Sequence, residues 1–205
     1  MANSVQFQLN GGNRALDFAN TLDHDSSTGA VVDALPDYPS LLRFCEATGA
    51  LNPAAVRALN RLEKAEKEKA MQKVPELRET LRTIFSATAR NHPIGNEDLA
   101  QLNNYLEPAL RHRRLSRNGK TLVWGWSNLE VDANSPLWQI VLDAAELLTS
   151  EKLTLVRECD SETCNWLFLD TSKNHSRRWC DMKTCGNRFK ARSYYQRLRE
   201  AAEAK

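Results

Sequence analysis

Four of the five cysteines lie in the last quarter of the chain as two matched pairs. Cys159 and Cys164 form the first pair, Cys180 and Cys185 form the second, and four residues separate the members of each pair. A tetrahedral zinc ion binds four thiolates, and two short loops that each supply two of them need little ordering of the chain. The spacing therefore predicts one structural zinc ion. Because protein thiolates fill all four positions, the site leaves no place for a reactive water or a substrate.

Charge is unevenly distributed around these cysteines. The chain has a net charge of only +2, yet residues 171–199 contain nine Lys or Arg side chains against the single acid Asp181. A basic segment beside a metal site favours an anionic polymer such as DNA as the partner. A solvated basic face without any partner is the alternative.

The overall composition is that of an ordinary globular chain. Its 205 residues are 41% hydrophobic and 26% charged, which suffices for one sizeable core and a small appendage. The first residues lack a basic start followed by an apolar run, and no eighteen apolar residues occur together. We therefore expect a cytoplasmic protein with no membrane partner, where clustered cysteines bind metal more often than they form disulfides.

The body that precedes the cysteines is predicted to be helix-rich. Proline in the first turn marks four helix starts, and the helices begin near Pro39, Pro53, Pro75 and Pro136. Another helix is predicted from Asn96 to Leu106.

Three further patterns are expected in the body. The alternation of Val5, Phe7 and Leu9 predicts a short strand, and the apolar spacing from Ala15 to Leu22 predicts a helix. Asn118-Gly119, between two strand-like segments, predicts a hairpin with a tight turn at that dipeptide.

The tail is predicted to fold as a small metal module. Strands are expected at 153–157 and 166–170, with a hairpin arm that ends at Cys180 and a helix from Gly186 to Ala204. Cys185 then stands at a helix N-terminus, whose free amides stabilise a thiolate. This order resembles a treble-clef finger. We predict an α+β fold with a mostly helical domain over 1–150, including a small β-hairpin, and a treble-clef-like four-cysteine finger over 151–205.

Residues at both ends of the chain resemble known families. Cys180, Cys185, Gly186, Asn187 and Arg188 resemble the CGNR zinc finger family. Gly11-Gly12 followed by residues 15–21, ALDFANT, resembles the opening motif of the ABATE domain. The resemblance implies a bacterial transcription regulator whose finger binds DNA and whose first domain senses a small-molecule effector or forms a homodimer.

Candidate site residues follow from these two lines of reasoning. The candidate DNA-binding residues are the basic side chains of the tail, namely Arg177, Arg178, Arg188, Lys190, Arg192, Arg197 and Arg199. The competing hypothesis is a zinc-stabilised protein-interaction module, in which the apolar stripe of the last helix, including Tyr194, Tyr195 and Leu198, meets a protein partner. In the DNA-binding hypothesis this stripe packs on the hairpin or on the body.

Arg14, Asp17 and Asn20 are the candidate ligand-binding residues, within a polar cluster that extends to Asp25. Helix caps, turn formers and an exposed Arg14–Asp17 ion pair are the alternative explanation. No carboxylate pair, nucleophile motif or phosphate-binding glycine loop occurs at diagnostic spacing, so we expect no catalytic residue and no enzyme.

Overall fold

Eight helices and six short strands form the part of the chain that the computed structural model describes, residues 7–24 and 30–203. The helices are α1 (Arg14–Ala19), α2 (Tyr38–Ala47), α3 (Pro53–Asn60), α4 (Lys64–Met71), α5 (Lys73–Ala89), α6 (Asn96–His112), α7 (Ser135–Leu148) and α8 (Asn187–Glu203). The strands are β1 (Leu22–His24), β2 (Val31–Asp33), β3 (Arg113–Asn118), β4 (Thr121–Trp126), β5 (Val156–Glu158) and β6 (Leu167–Leu169). The strands pair antiparallel as β1-β2, β3-β4 and β5-β6. The predicted α+β, mostly helical fold is confirmed.

The helix starts marked by proline are confirmed. In α3 the side chain of Asn52 caps the helix and accepts a hydrogen bond from the Ala55 amide at 2.9 Å. Asp37 caps α2 in the same way, through the Ser40 amide at 2.8 Å. The helix predicted from Asn96 to Leu106 extends further, to His112. Pro108 lies inside α6 and does not end it.

Two predictions near the N-terminus are wrong within the described residues. Phe7 to Leu9 is not a strand, while Val5 and Gln6 lie outside the described part. The first helix ends at Ala19, and Leu22 instead begins β1, which pairs with β2. The helical spacing misled here because Leu22 is 37% exposed and does not belong to the buried face that it seemed to extend.

The predicted hairpin is present, but its turn lies one residue later. Asn118 pairs with Thr121, so Gly119 and Lys120 form the two-residue loop. Gly119 has φ of +59°, a left-handed conformation that glycine adopts without strain. The glycine, rather than the Asn-Gly dipeptide, therefore sets the turn.

The main core is built around α1. Ala15, Leu16, Phe18 and Ala19 are all fully buried, and α1 packs against α5, α7 and β6. A helix of six residues is too short to persist alone, so α1 is stable only because it is buried inside this core.

Strand β6 separates this core from a second, smaller one. Leu167 and Leu169 belong to the main core, whereas Phe168, pointing to the other face, packs with Trp166 and the cysteines. The predicted boundary after residue 150 stays a prediction, and the main core includes Val156, Leu167 and Leu169 from beyond it.

None of the helices in the described ranges is long and apolar enough to cross a membrane.

Candidate metal centre

The four paired cysteines converge on one point. The sulfur atoms of Cys159, Cys164, Cys180 and Cys185 all lie within 4.8 Å of one another. Cys180 Sγ lies 3.7 Å from Cys164 Sγ and 3.7 Å from Cys185 Sγ. Four sulfurs about 2.3 Å from a tetrahedral zinc ion would be separated by ~3.8 Å, so the cluster fits a four-thiolate zinc site.

Crowding of the sulfurs perturbs their protonation. Hydrogen bonds from Cys164 and Cys180 lower the pKa of the Cys159 thiol, because they stabilise its thiolate. The same contacts with Cys159 raise the pKa of Cys164 and of Cys180, which supply the protons. Only a cation at the centre can keep all four thiolates together, and zinc supplies that charge when bound.

The first cysteine pair is positioned by β5, β6 and the loop between them. The amide of Cys159 donates to the Trp166 carbonyl at 2.9 Å, and the amide of Cys164 donates to the Ser161 carbonyl at 2.9 Å. The predicted strand at 153–157 is only partly correct, because residues Glu151–Leu155 form a 3₁₀ turn before β5. Strand β5 in turn is held to α5 by Glu158, which accepts two hydrogen bonds from Arg90 at 2.8 and 2.9 Å.

The second pair is positioned without the predicted hairpin arm. Residues 176–180 form no strand, and β6 pairs with β5 instead. A fully buried carboxylate, Asp170, orders the connection by accepting from the amides of Ser172 at 3.0 Å and Arg177 at 2.9 Å. The backbone of Cys180 is thus fixed by a polar turn rather than by a sheet.

Arg177 completes this turn. Its guanidinium donates to the Trp179 carbonyl at 2.9 Å and to the Cys180 carbonyl, and it lies 4.4 Å from the centre of the Phe168 ring. A side chain predicted to contact DNA is therefore part of the structure that holds a metal ligand.

The last ligand precedes the final helix. Cys185 lies in a π-helical turn, Met182–Gly186, and α8 begins directly afterwards, so the predicted helix start is one residue too early. Asp181 caps the turn through the Lys183 amide at 2.9 Å. A Cβ at Gly186 would clash with the Met182 sulfur, so the glycine makes room for Met182.

Arg188 lies against the metal cluster as well. Its Nη2 donates to Cys185 Sγ at 3.5 Å, while its Nη1 is buried without a hydrogen-bond partner among the described residues. A guanidinium beside a ligand sulfur offsets the negative charge of a four-thiolate site.

The other predicted DNA-binding residues divide into two groups. Arg178 pairs with Asp160 at 2.7 Å, and Arg192 pairs with Glu162 at 3.0 Å, so both are tied to the loop of the first cysteine pair. Lys190, Arg197 and Arg199 are exposed on α8, and Arg197 donates to the carbonyl of Ser193 in its own helix. Their role in DNA binding stays a prediction.

The three candidate ligand-binding residues do not form one cluster. Arg14 pairs with Asp143 and donates to the Thr48 carbonyl at 2.9 Å, so it links α1 to α7 instead of forming the ion pair with Asp17 that the alternative explanation assumed. Asp17 and Asn20 line a cavity of about 160 Å³ together with Trp166. That volume is below the range of about 300–1,000 Å³ typical of small-ligand pockets.

Asn20 and Asp17 both have structural partners. Asn20 Nδ2 donates to the Leu167 carbonyl at 2.8 Å and its Oδ1 accepts from the Leu167 amide at 2.8 Å, so this side chain pairs with β6 as a neighbouring strand would. Asp17 Oδ1 accepts from the Gly11 amide at 2.8 Å, and burial raises the pKa of Asp17 to about 6. Their assignment as ligand-binding residues remains a prediction, while Asp25 and the side chain of His24 lie outside the described part.

Gly11 and Gly12 have a clear physical role beside this pair. A Cβ at Gly11 would lie 2.9 Å from Asp17 Oδ1, and Gly12 has φ of +72°. The Gly11 carbonyl accepts from the Leu169 amide at 2.8 Å, which fixes β6 on the body. The motif therefore anchors the strand that carries Phe168 into the metal core.

Sequence reasoning missed Asp170 and Asn20 as organisers of the metal module. Neither residue lies near a cysteine pair in a spacing that marks metal ligation. Residue type gave one usable signal, since an Asp directly before a polar turn commonly accepts a hydrogen bond from the amide two residues later.

Comparisons with known families agree with both ends of the chain. A family model, ABATE, described as "Putative stress-induced transcription regulator", matches residues 12–151. A second model, the CGNR zinc finger, matches residues 156–198. Among curated proteins, none matches the chain. The predicted resemblance is confirmed, and the matched finger together with the four clustered sulfurs confirms the prediction of one zinc ion.

Proposed function

We propose, from the premise that the chain belongs to the ABATE family and carries a CGNR zinc finger, that it is a transcription regulator that binds DNA through that finger. Zinc has a structural role in this proposal, and the chain performs no catalytic step. The helix-rich domain responds to an effector or mediates dimerisation.

One observation supports DNA binding most directly: α8 projects from the metal core with every described side chain from Tyr194 to Ala202 exposed. Over Asn187–Glu203 the helix carries five Lys or Arg residues against two Glu. An exposed basic helix fixed at one end by a rigid metal module can enter a DNA groove and reach phosphates on either side.

Four of the seven candidate DNA-binding residues already have partners within the finger. Arg177, Arg178, Arg188 and Arg192 are engaged with the finger itself. Lys190 and Arg197 are seven residues apart, so they lie on the same side of α8, away from the side that holds Arg188 and Arg192. We therefore assign phosphate contact chiefly to Lys190 and Arg197, whereas Arg199, seven residues after Arg192, lies on the opposite side of α8.

The experiment is fluorescence anisotropy of the full zinc-loaded chain with duplex DNA across a salt series. The double variant Lys190→Gln, Arg197→Gln is expected to reduce the slope of log affinity against log salt by about 2. The matched control, Arg57→Gln with Lys69→Gln, removes the same charge from exposed helices of the body and leaves the slope unchanged. Equal slopes for the two double variants, or no DNA binding by the intact chain, would refute the proposal.

A second candidate function rests on the apolar stripe of α8. Tyr194, Tyr195 and Leu198 are 55%, 64% and 49% exposed, whereas in the DNA-binding hypothesis the stripe packs on the hairpin or body. Such a stripe is typical of a protein interface. If Tyr195→Ser with Leu198→Ser converts a dimer to a monomer in analytical ultracentrifugation, the stripe joins two copies of this chain. If the same variant weakens DNA binding without changing the mass, the stripe belongs to the DNA contact.

A further inference from the structure

A larger cavity lies in the body, away from the metal centre and from Asp17. It has a volume of about 550 Å³ and opens where β2 ends, between the start of α2, helix α4 and the start of α5. This volume falls within the range that small-molecule ligands occupy. Its apolar wall consists of Leu35, Pro36, Tyr38, Met71, Val74 and Pro75.

Arg78 gives the apolar wall a buried charge. The residue is 3% exposed, and its Nη2 lies 3.0 Å from Asp33 Oδ1. Neither Nε nor Nη2 makes a hydrogen bond of normal geometry within residues 7–24 and 30–203. A guanidinium stays protonated and offers five donors, so buried donors without acceptors are unfavourable.

The acidic side chains around the cavity have partners other than Arg78. Asp33 also accepts from the Leu35 amide at 2.8 Å, and its side chain is 36% exposed, so it can turn towards water. Asp37 caps α2, and Glu68 pairs with Lys64 at 3.5 Å on the same helix. None of these contacts supplies the missing acceptors of the guanidinium.

The charge balance of the lining limits the kind of anion that fits. Lys64, Lys67 and Arg78 face the cavity together with Asp33, Asp37 and Glu68, so the lining is close to neutral. A group with one negative charge is matched there better than a multiply charged phosphate. The planar fork of Arg78 suits the two oxygens of a carboxylate.

We propose that this cavity binds a small organic monocarboxylate with an apolar body. The carboxylate takes the place of Asp33 on Arg78 and supplies acceptors to its donors, and the apolar body lies along Tyr38, Met71 and Val74. That such a ligand regulates the protein rests on the proposed function, whereas the binding itself does not.

The test uses the full zinc-loaded chain, without DNA, in isothermal titration and thermal unfolding. Benzoate and hexanoate are the probes, and benzamide and hexanamide are their uncharged counterparts. The carboxylates are expected to bind at least about tenfold more tightly than the amides, as a charge-assisted hydrogen bond allows. Arg78→Met removes this preference, and Arg57→Met, the same change at an exposed site, retains it.

A second variant keeps the test decisive if Arg78→Met fails to fold. Asp33→Asn keeps an oxygen for the Leu35 amide but removes the competing charge, so it is expected to tighten carboxylate binding. Absence of saturable binding, equal affinity for acids and amides, or weaker binding by Asp33→Asn would each overturn the proposal. Because DNA affinity is measured separately, failure of the carboxylate assay leaves the result for DNA intact, and the reverse also holds.

Discussion

The two cores of this protein lie on opposite faces of one three-residue strand, and each core is stabilised by a different kind of interaction. On one face of β6, Leu167 and Leu169 join a large apolar core made from most of the helices. On the other, Phe168 joins a core of four cysteines and two tryptophans. The first core is stable because it buries much apolar surface, whereas the second is too small for that and depends on its metal.

The two cores are nevertheless not independent. The side chain of Asn20 and the carbonyl of Gly11, both in the body, hydrogen-bond the backbone of Leu167 and Leu169. A displacement of β6 therefore perturbs both the body core and the metal core. This shared strand physically links the body to the metal core, which holds the start of α8.

The largest expected effect comes from breaking the metal core alone. Cys185→Ser removes one of four zinc ligands, and structural zinc contributes on the order of 10 kcal/mol to folding of such modules. We expect loss of bound zinc and loss of amide hydrogen-exchange protection over residues 171–203. Helices α5 and α7, packed in the body core, should keep their protection.

The matched control for this change is Cys45→Ser. Cys45 is fully buried in the body, where its sulfur lies 3.3 Å from the Pro136 carbonyl, and burial raises the pKa of its thiol to about 12. This variant should bind one zinc ion with normal affinity. If Cys185→Ser unfolded α5 and α7 together with the tail, the comparison between two separately stabilised cores would be wrong.

A smaller effect separates the two faces of β6. Leu167→Ala creates a cavity in the body core at a cost of about 2–5 kcal/mol, and Phe168→Ala creates one in the metal core at about 3–5 kcal/mol. Leu167→Ala should lower the temperature at the midpoint of thermal unfolding of the helices, as measured by circular dichroism. The second should chiefly speed zinc release to a competing chelator.

If Leu167→Ala mainly lowered the unfolding midpoint of the helices and Phe168→Ala mainly sped zinc release, the two results together would establish that β6 separates the cores. If both variants changed zinc release and helix unfolding equally, the strand would instead belong to a single cooperative unit. Either result is interpretable because both side chains are fully buried and lie next to each other in the chain.

The metal centre was predictable from sequence to the level of its ligands, whereas the body was predictable only in its fold class and its helix starts. Residue type and spacing alone indicate zinc ligation, since such paired cysteines are typical of metal sites. The four residues are Cys159, Cys164, Cys180 and Cys185. Helix starts such as Asn52-Pro53 were equally readable, because a cap and a fixed φ act locally. These signals need no knowledge of distant contacts.

What the sequence did not reveal depends on distant contacts. Asn20 pairs with Leu167, 147 positions later, and Arg78 is buried beside Asp33, so neither role leaves a local pattern. The basic residues of the tail show a related limit. Composition marked all of them as phosphate contacts, yet Arg177 and Arg188 are held by the metal module through contacts that charge counting cannot foresee.

The smallest effect that we predict concerns protonation on the body side of β6. Burial raises the pKa of Asp17 from 3.8 to about 6, and the hydrogen bond from Gly11 and the charge of Arg14 only partly oppose this shift. The folded state therefore holds a proton that the unfolded state has lost between about pH 4 and pH 6, so stability falls as pH rises through that window and is level above it. Asp17→Asn should stabilise the body by about 1–3 kcal/mol at pH 7 and by about 1 kcal/mol less at pH 5, measured by urea unfolding. An Asp17→Asn variant with the same stability gain at both pH values would show that Asp17 keeps an ordinary pKa in the fold, and that the close approach of Gly11, not the burial, dominates its environment.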